Sequence, residues 1–345
     1  MKAVWFSSTV DTITYLDKNK ENNKGYILFS SAANTVELSS KVSDNVVLCS
    51  SSGEYTDKGY ADGVISGFEY DYSIGEIIEI KYPPIKSVQE LKRAYTKVEN
   101  NKNAYLILLC DGLSNMEETV LSTFYFMDPS FKIIGGSAGD NIQFKETFIF
   151  IGSKRVRNVA IFMNSKKRTS IIKENIYTKT GKTLLVTEAD VTSRTVRSFN
   201  YKPAAAEYAN ALGVSEKDLA KHFMNHPLGK AYEDDIFIAS PMKVNEDKSI
   251  TFYCELMANT YVHVLKPDDP ITVLKSTFKR APFKPSFVFS VNCILRSLKF
   301  LEDNTWKDFD NECLGFCSNT AGFISYGEQY YKNHSNQTMV MLLEE

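Results

Sequence analysis

The chain has 345 residues, 43% apolar and 24% charged, a composition that excludes a disordered or fibrous chain and suits about two globular domains. Forty basic residues against forty-two acidic give a net charge of −2, which argues against a chain built around nucleic acid or an anionic membrane surface. No apolar run reaches the ~18 residues of a membrane helix, and the start, from Met1 to Asp11, lacks the apolar stretch of a signal peptide.

In chain order, Lys24 to Ser30 reads as a strand and is followed by a short helix through Leu38. Asp71 to Tyr82 alternates and stops at Pro83-Pro84, which cannot continue a ladder. Val88, Leu91, Tyr95 and Val98 recur at helical spacing, and Tyr105 to Cys110 is an apolar strand buried on both faces. The turn Asp111-Gly112-Leu113-Ser114 leads to a helix expected from Met116 to Met127, ended by Pro129. Strand, helix and strand with short loops predict a parallel crossover, whose ligand side is the carboxyl end of the strands. Asp111 and the turn after Ile133-Ile134 both belong at that end.

Arg157 to Met163 is another strand, Lys166-Lys167-Arg168 a solvated turn, and Thr183 to Phe199 reads as strands. Pro203 opens a helix that Gly213 closes. Ser215 and Asp218 resemble a capping box for a helix over Ser215–Asn225. Strands follow at 235–240, 249–256 and 260–265, then a helix after Asp269-Pro270, then the buried strand Ser286–Val291 running into a helical face with Leu298 and Leu301. The class predicted is α/β, with mixed sheets and crossover helices.

One unit occurs three times. An apolar strand ends in small residues and a Gly-acid pair at Gly53-Glu54, Gly139-Asp140 and Gly327-Glu328. A second apolar strand begins roughly ten residues later, at Gly63, Thr147 and Thr338. Small residues let a ligand or another backbone approach closely. Each pair is also ordinary turn chemistry beside a solvated acid. The threefold recurrence points to internal repetition and a shared site.

Gly135-Gly136-Ser137-Ala138-Gly139 fits the nucleophile-elbow pattern of a serine hydrolase, but an elbow needs a helix next, and a strand follows. An enzyme is therefore not expected. Cys313 and Cys317 form an incomplete zinc pattern, and no metal site is expected. Six scattered cysteines suit buried thiols in a reducing compartment, so the cytoplasm is expected.

The ordered set of motifs resembles the FIST sensory family over most of the chain. It comprises Cys49-Ser50-Ser51-Ser52-Gly53-Glu54, Asp111-Gly112-Leu113, Gly135 to Asp140, His226-Pro227-Leu228-Gly229, Cys293-x-x-Arg296, and Gly322-Phe323-x-x-Tyr326-Gly327-Glu328. Val47-Leu48 stands where the family carries Gly. The resemblance implies residues 1–213 as a FIST N-like part and 214–345 as a FIST C-like part. It implies a bacterial signal-transduction sensor that binds a small ligand of the amino-acid class. It would report to a separate partner such as a histidine kinase, cyclase or chemoreceptor. Some members resemble haem-carrying nitric-oxide sensors.

The candidate ligand residues are Cys49, Ser51, Gly53, Glu54, Asp111, Gly136, Ser137, Gly139, Asp140, Cys293, Arg296, Tyr326 and Glu328. Arg296 could grip a carboxylate with two parallel bonds, or pair internally with Glu328 or Glu302. Asp140, Glu54 or Glu328 would take an ammonium. Cys293 is a reactive thiol at a helix N-terminus or a small packing residue. If haem is the cofactor, His226 is the first axial candidate, sharing a predicted helical face with His222. A third reading is an adaptor that binds only proteins.

Overall fold

A computed structural model describes residues 1–232 and 235–345. Its strand content, 40% against 24% helix, belongs to the mixed α/β class expected. Three apolar runs, Lys24–Ser30, Tyr105–Cys110 and Phe287–Cys293, organise it, and all three are buried. A strand with no polar face needs cover on both sides, which a crossover unit supplies. Each pairs in parallel with the next long strand: Val46–Ser50, Lys132–Ser137 and Thr320–Ser325. On the other edge each takes an antiparallel return strand: Ile65–Asp71, Asn158–Met163 and Met339–Glu344. Those return strands hold the strands that open each unit, Lys2–Phe6, Gly75–Ile80 and Thr169–Glu174. The chain thus contains three copies of one α/β unit.

Between its second parallel strand and its return strand, each unit sends a hairpin to a neighbour. Glu54–Thr56 of unit one adds to Thr320–Ser325 of unit three. Ile149–Ile151 of unit two adds to Val46–Ser50 of unit one, and Glu328–Tyr330 of unit three adds to Lys132–Ser137 of unit two. The exchange closes a ring.

Side chains alternate along each run. Ile27 and Phe29, Ile107 and Leu109, and Phe289 and Val291 enter one central core, while Tyr26 and Leu28, and Leu106 and Leu108, face outer clusters. At the centre Phe29 stacks on Phe323 with ring centroids 4.2 Å apart.

Unit three is interrupted by a fourth sheet, antiparallel, which starts at Tyr177–Asp190 and ends at Thr260–Pro267; these two strands pair. Helix Ala204–Leu212 covers it and ends at Gly213 in the left-handed conformation, φ 74°. Among the described residues, three of the four sheets contain strands from both sides of residue 213.

Two expected helices are shorter. The segment from Met116 is α-helical only over Glu117–Ser122, after which the N–H groups of Thr123, Phe124 and Tyr125 bond to carbonyls three residues back, the tighter pattern of a helix end. Over 215–225 only the 3-10 turn Leu219–His222 forms, with Leu219 and Phe223 as its buried anchors. So short a segment is marginal without a longer apolar face.

Candidate ligand site

The three Gly-acid turns meet where the units exchange hairpins. Ser52 N–H donates to Ile324 O at 3.0 Å and Ile324 N–H to Gly53 O at 2.8 Å. Ser137 N–H donates to Gly327 O at 2.9 Å, Tyr326 N–H to Ser137 O at 3.0 Å, and Gly139 N–H to Ser50 O at 3.0 Å. A Cβ at Gly139 would sit 2.4 Å from Ser52 Oγ, and one at Gly135 or Gly322 would sit 1.8 Å from Leu108 O or 2.2 Å from Ser290 O, so the small residues let neighbouring chain segments approach closely.

Each acid closes its own hairpin. Glu54 accepts from the Ser51 hydroxyl at 2.5 Å. Asp140 accepts from the Phe144, Lys145 and Glu146 N–H groups, at 3.0, 2.7 and 3.1 Å, and from the Tyr326 hydroxyl. Glu328 accepts from the N–H and hydroxyl of Thr338, at 3.2 and 2.9 Å, and from the Ser325 hydroxyl at 2.9 Å. Burial pushes Glu54 and Glu328 up to about 8, against the donors that each has. Burial acts on Asp140 in the same sense, but the Tyr326 hydroxyl and the three amides hold it below the usual range.

These contacts correct the expected ligand set. Cys49, Ser51, Gly53, Glu54, Gly136, Ser137, Gly139 and Glu328 are packed within the turn cluster, and burial pushes the Cys49 thiol up. Asp140 and Glu328 are engaged on both oxygens, and Glu54, which keeps one oxygen without a partner, is buried and pushed toward its neutral form, so none is a ready ammonium receptor. Arg296 is fully buried, pairs with Glu174 rather than Glu328 or Glu302, and lies over the rings of Phe300 and Phe309. Cys293 caps helix Ile294–Glu302, but burial holds its thiol well above the ordinary value, so it is not activated. Asp111 accepts from Leu113 N–H at 3.1 Å and the Thr147 hydroxyl at 2.7 Å, away from its neighbour Gly112. Ser137 is fully buried and donates to Glu117 at 2.9 Å, with no imidazole bonded to it, which does not fit an exposed hydrolase nucleophile.

The open site lies beside this cluster, a cavity of about 340 Å³. Its walls are mostly apolar: Leu113 after the crossover strand, Ile142 and Phe144 from the loop below Asp140, Phe252 from the fourth sheet, and Leu295 and Leu298 from the helix after Cys293. Tyr326 also lines it, holding the loop by donating to Asp140 and accepting from Ile142 N–H at 2.7 Å. Gly112 can border it because a Cβ there would lie 2.0 Å from Ala138 O. Asn141, Ile142 and Phe144 all adopt positive φ, 56°, 63° and 50°.

The polar end consists of Asn115, Glu117 and Arg194. Arg194 donates to Glu117 at 2.6 Å, to Glu118, to Asn115 Oδ1 at 3.1 Å and to Tyr253 O at 2.7 Å. Burial would lower the guanidinium's pKa, but the two carboxylates raise it, so it stays charged. Sequence reasoning missed this end. Its signals were the paired acids opening a helix, and Asp190, whose carboxylate accepts from Thr192 N–H at 3.0 Å and Ser193 N–H at 3.3 Å to turn the chain into Arg194.

Two family models match the chain. One, described as the FIST N domain, covers residues 26–202, and the other, the FIST C domain, covers residues 204–331. The chain belongs to the FIST family. FIST domains are associated with sensing small ligands in signal transduction. A search of the curated proteins returned no match. In this FIST protein the open cavity lies across the two matched regions, with Arg194 from the first and Phe252 and Leu298 from the second.

His226 lies elsewhere. Its Nδ1 is 3.0 Å from Leu265 O, and with His222 it lines a cavity of about 180 Å³, below the ~300–1,000 Å³ usual for ligand pockets. That space does not suit a haem macrocycle. Among the described residues no helix is long and apolar enough to cross a membrane.

Proposed function

We propose that the chain is a sensor that binds an amino acid with an apolar side chain in the 340 Å³ cavity and reports to a separate signalling partner. The supporting observation is the pairing of an apolar wall with a polar end where two carboxylates, Glu117 and Glu118, face one guanidinium, Arg194. One negative charge is left over, which favours an ammonium group near Glu117. Asn115 and the edge of Arg194 then serve the carboxylate, and Phe252, Leu295 and Leu298 take the side chain. The volume lies at the small end of ligand pockets, in keeping with an amino acid rather than a nucleotide.

Binding, not turnover, is the role assigned, because the buried Ser137 is the best nucleophile by pattern and it is engaged with Glu117. Six free thiols suit a reducing compartment, and we place the sensor in the bacterial cytoplasm. Calorimetry with leucine, phenylalanine, the matching amines and the matching carboxylic acids tests the ligand class. The amino acids and amines should bind, and the acids without an ammonium should not. Glu117→Gln should weaken binding by about tenfold or more, in line with ~1.5–3 kcal/mol for a charged hydrogen bond. No binding across the panel, or equal binding of the deaminated acids, sinks this reading.

A further inference from the structure

A second group of chemically reactive side chains lies behind the polar end of the cavity. Glu118 comes from the first turn of helix Glu117–Ser122, Cys254 follows strand Ile250–Phe252, and His334 lies on hairpin strand Asn333–Ser335. Three distant segments thus place a carboxylate oxygen, a thiol sulfur and a ring nitrogen within 4.8 Å of one another. We propose that Glu118, Cys254 and His334 form a binding site for a divalent transition-metal ion, with Zn²⁺ the best match to the ligands.

Zinc accepts mixed oxygen, sulfur and nitrogen ligands, at bonds of ~2.0–2.3 Å that put ligand atoms roughly 3.3–3.8 Å apart. The ligand atoms lie within 4.8 Å of one another, so binding would draw them together by roughly 1 Å. Cys254 and His334 are buried and Glu118 is nearly so.

Glu118 is held as a metal-ligating carboxylate usually is, from its neighbours Arg194 and Glu255. Glu118 Oε1 accepts from Glu255 N–H at 3.0 Å. The Cys254 thiol donates to Asn336 Oδ1 at 2.9 Å, and Gln329 Nε2 lies 3.4 Å from His334 Nδ1, so metal binding would turn both amides over, Asn336 Nδ2 then donating to the thiolate and Gln329 Oε1 accepting from the imidazole N–H. Gln329 and Asn336 are fully buried, and each keeps one polar atom without a partner, Gln329 Oε1 and Asn336 Nδ2. A buried amide left half-bonded is costly, and both occur against this one cluster.

The charges also suit a cation. Glu117, Glu118 and Glu255 face Arg194 and Lys230 around the cluster, a balance of −1 before the thiol ionises. Binding replaces the thiol proton by the metal, and no redox step is needed.

The test uses the full chain, stripped with a chelator and titrated with Co²⁺ as the spectroscopic probe. One equivalent should bind with a thiolate-to-metal absorption in the near ultraviolet, displaced by Zn²⁺. Cys254→Ser should lose that band, while Cys317→Ser, outside the cluster, should keep it. His334→Gln keeps a polar side chain in the same space and should weaken Co²⁺ binding by at least about tenfold, the scale on which metal-site contacts act. It also decides the matter if Cys254→Ser does not fold. Absence of stoichiometric binding, a band that survives Cys254→Ser, or affinity unchanged in His334→Gln overturns the proposal.

Discussion

The turn at Gly139-Asp140 and the turns at Gly53-Glu54 and Gly327-Glu328 occupy equivalent places in three copies of one unit, yet their acids hold opposite protonation states. Glu54 and Glu328 are pushed up to about 8, and Asp140 is held below the ordinary carboxylate value. All three lie under a hairpin and accept local hydrogen bonds. The difference is the number of donors against the depth of burial. Asp140 has three backbone amides and a phenol for its two oxygens, whereas one oxygen of Glu54 has no partner and Glu328 is wholly enclosed. The same sequence motif therefore makes two neutral clasps inside the ring of units and one ionic clasp at its open side. The loop after the ionic clasp lines the ligand cavity with Ile142 and Phe144, whereas the Gly327-Glu328 turn contributes the single side chain of Tyr326.

Deleting a neutral clasp should have the largest effect. Glu328→Ala would leave the Thr338 N–H and both hydroxyls without an acceptor in a closed interior, a loss of about 3 kcal/mol by urea unfolding. At pH 6 Glu328→Gln should cost less than about 1 kcal/mol, because an amide resembles the protonated acid already there. A large loss in the Gln variant would mean that Glu328 is ionised.

The pH dependence follows from the same contrast. In the folded chain Glu54 and Glu328 keep protons up to about 8 that the unfolded chain releases near 4.5. The folded state therefore binds more protons in that window, and their contribution makes stability fall as pH rises from about 5 to about 8. Asp140 works the other way. Its stabilisation is fully present above 3.8 and is lost as pH falls through its depressed value. Urea midpoints for the wild type and a Glu54→Gln, Glu328→Gln double variant should diverge across pH 5 to 8, with the variant flatter.

Weakening the ionic clasp should cost less and act locally. Asp140→Asn removes the charge that four donors share, about 2 kcal/mol. Tyr326→Phe takes away one donor to Asp140 and the acceptor for Ile142 N–H, about 1–2 kcal/mol. In both, hydrogen exchange should rise over residues 141–146 while the central core around Phe29 and Phe323 keeps its protection. Protection lost throughout would merge the clasp with the core.

The three units were half legible in the sequence. The Gly-acid pairs and the long runs at Lys24–Ser30, Tyr105–Cys110 and Phe287–Cys293 mark them, because burial on both faces leaves a continuous apolar signature. The exchange of hairpins was not legible, since a short strand's pattern does not say which sheet it joins. The interruption of unit three between Thr169–Glu174 and Phe287–Cys293 further hid the repeat. The site suffered from the same distance problem. Arg296 invited a ligand role because its partner, Glu174, is remote in the chain, and Arg194 stayed hidden in a turn inside what reads as unbroken strand. Tyr326 alone among the expected side chains reaches the cavity wall, and it does so while holding Asp140.

The smallest effect should come from the loop itself. Ile142 sits at φ 63°, where a β-branched side chain is strained by about 1 kcal/mol, and its side chain is partly exposed at the cavity edge. Asn tolerates that conformation, and the N–H bond to Tyr326 is a backbone bond that survives the change. Ile142→Asn should therefore raise stability by about 0.5 kcal/mol, read as a higher urea midpoint, while weakening an apolar ligand by a few fold through lost contact. The opposite signs are the useful part. They would show that this unit accepts backbone strain in order to present an apolar side chain to the cavity. If Ile142→Asn lowers stability, the side chain is part of the core, and the loop is no more a ligand wall than the turns at Glu54 and Glu328.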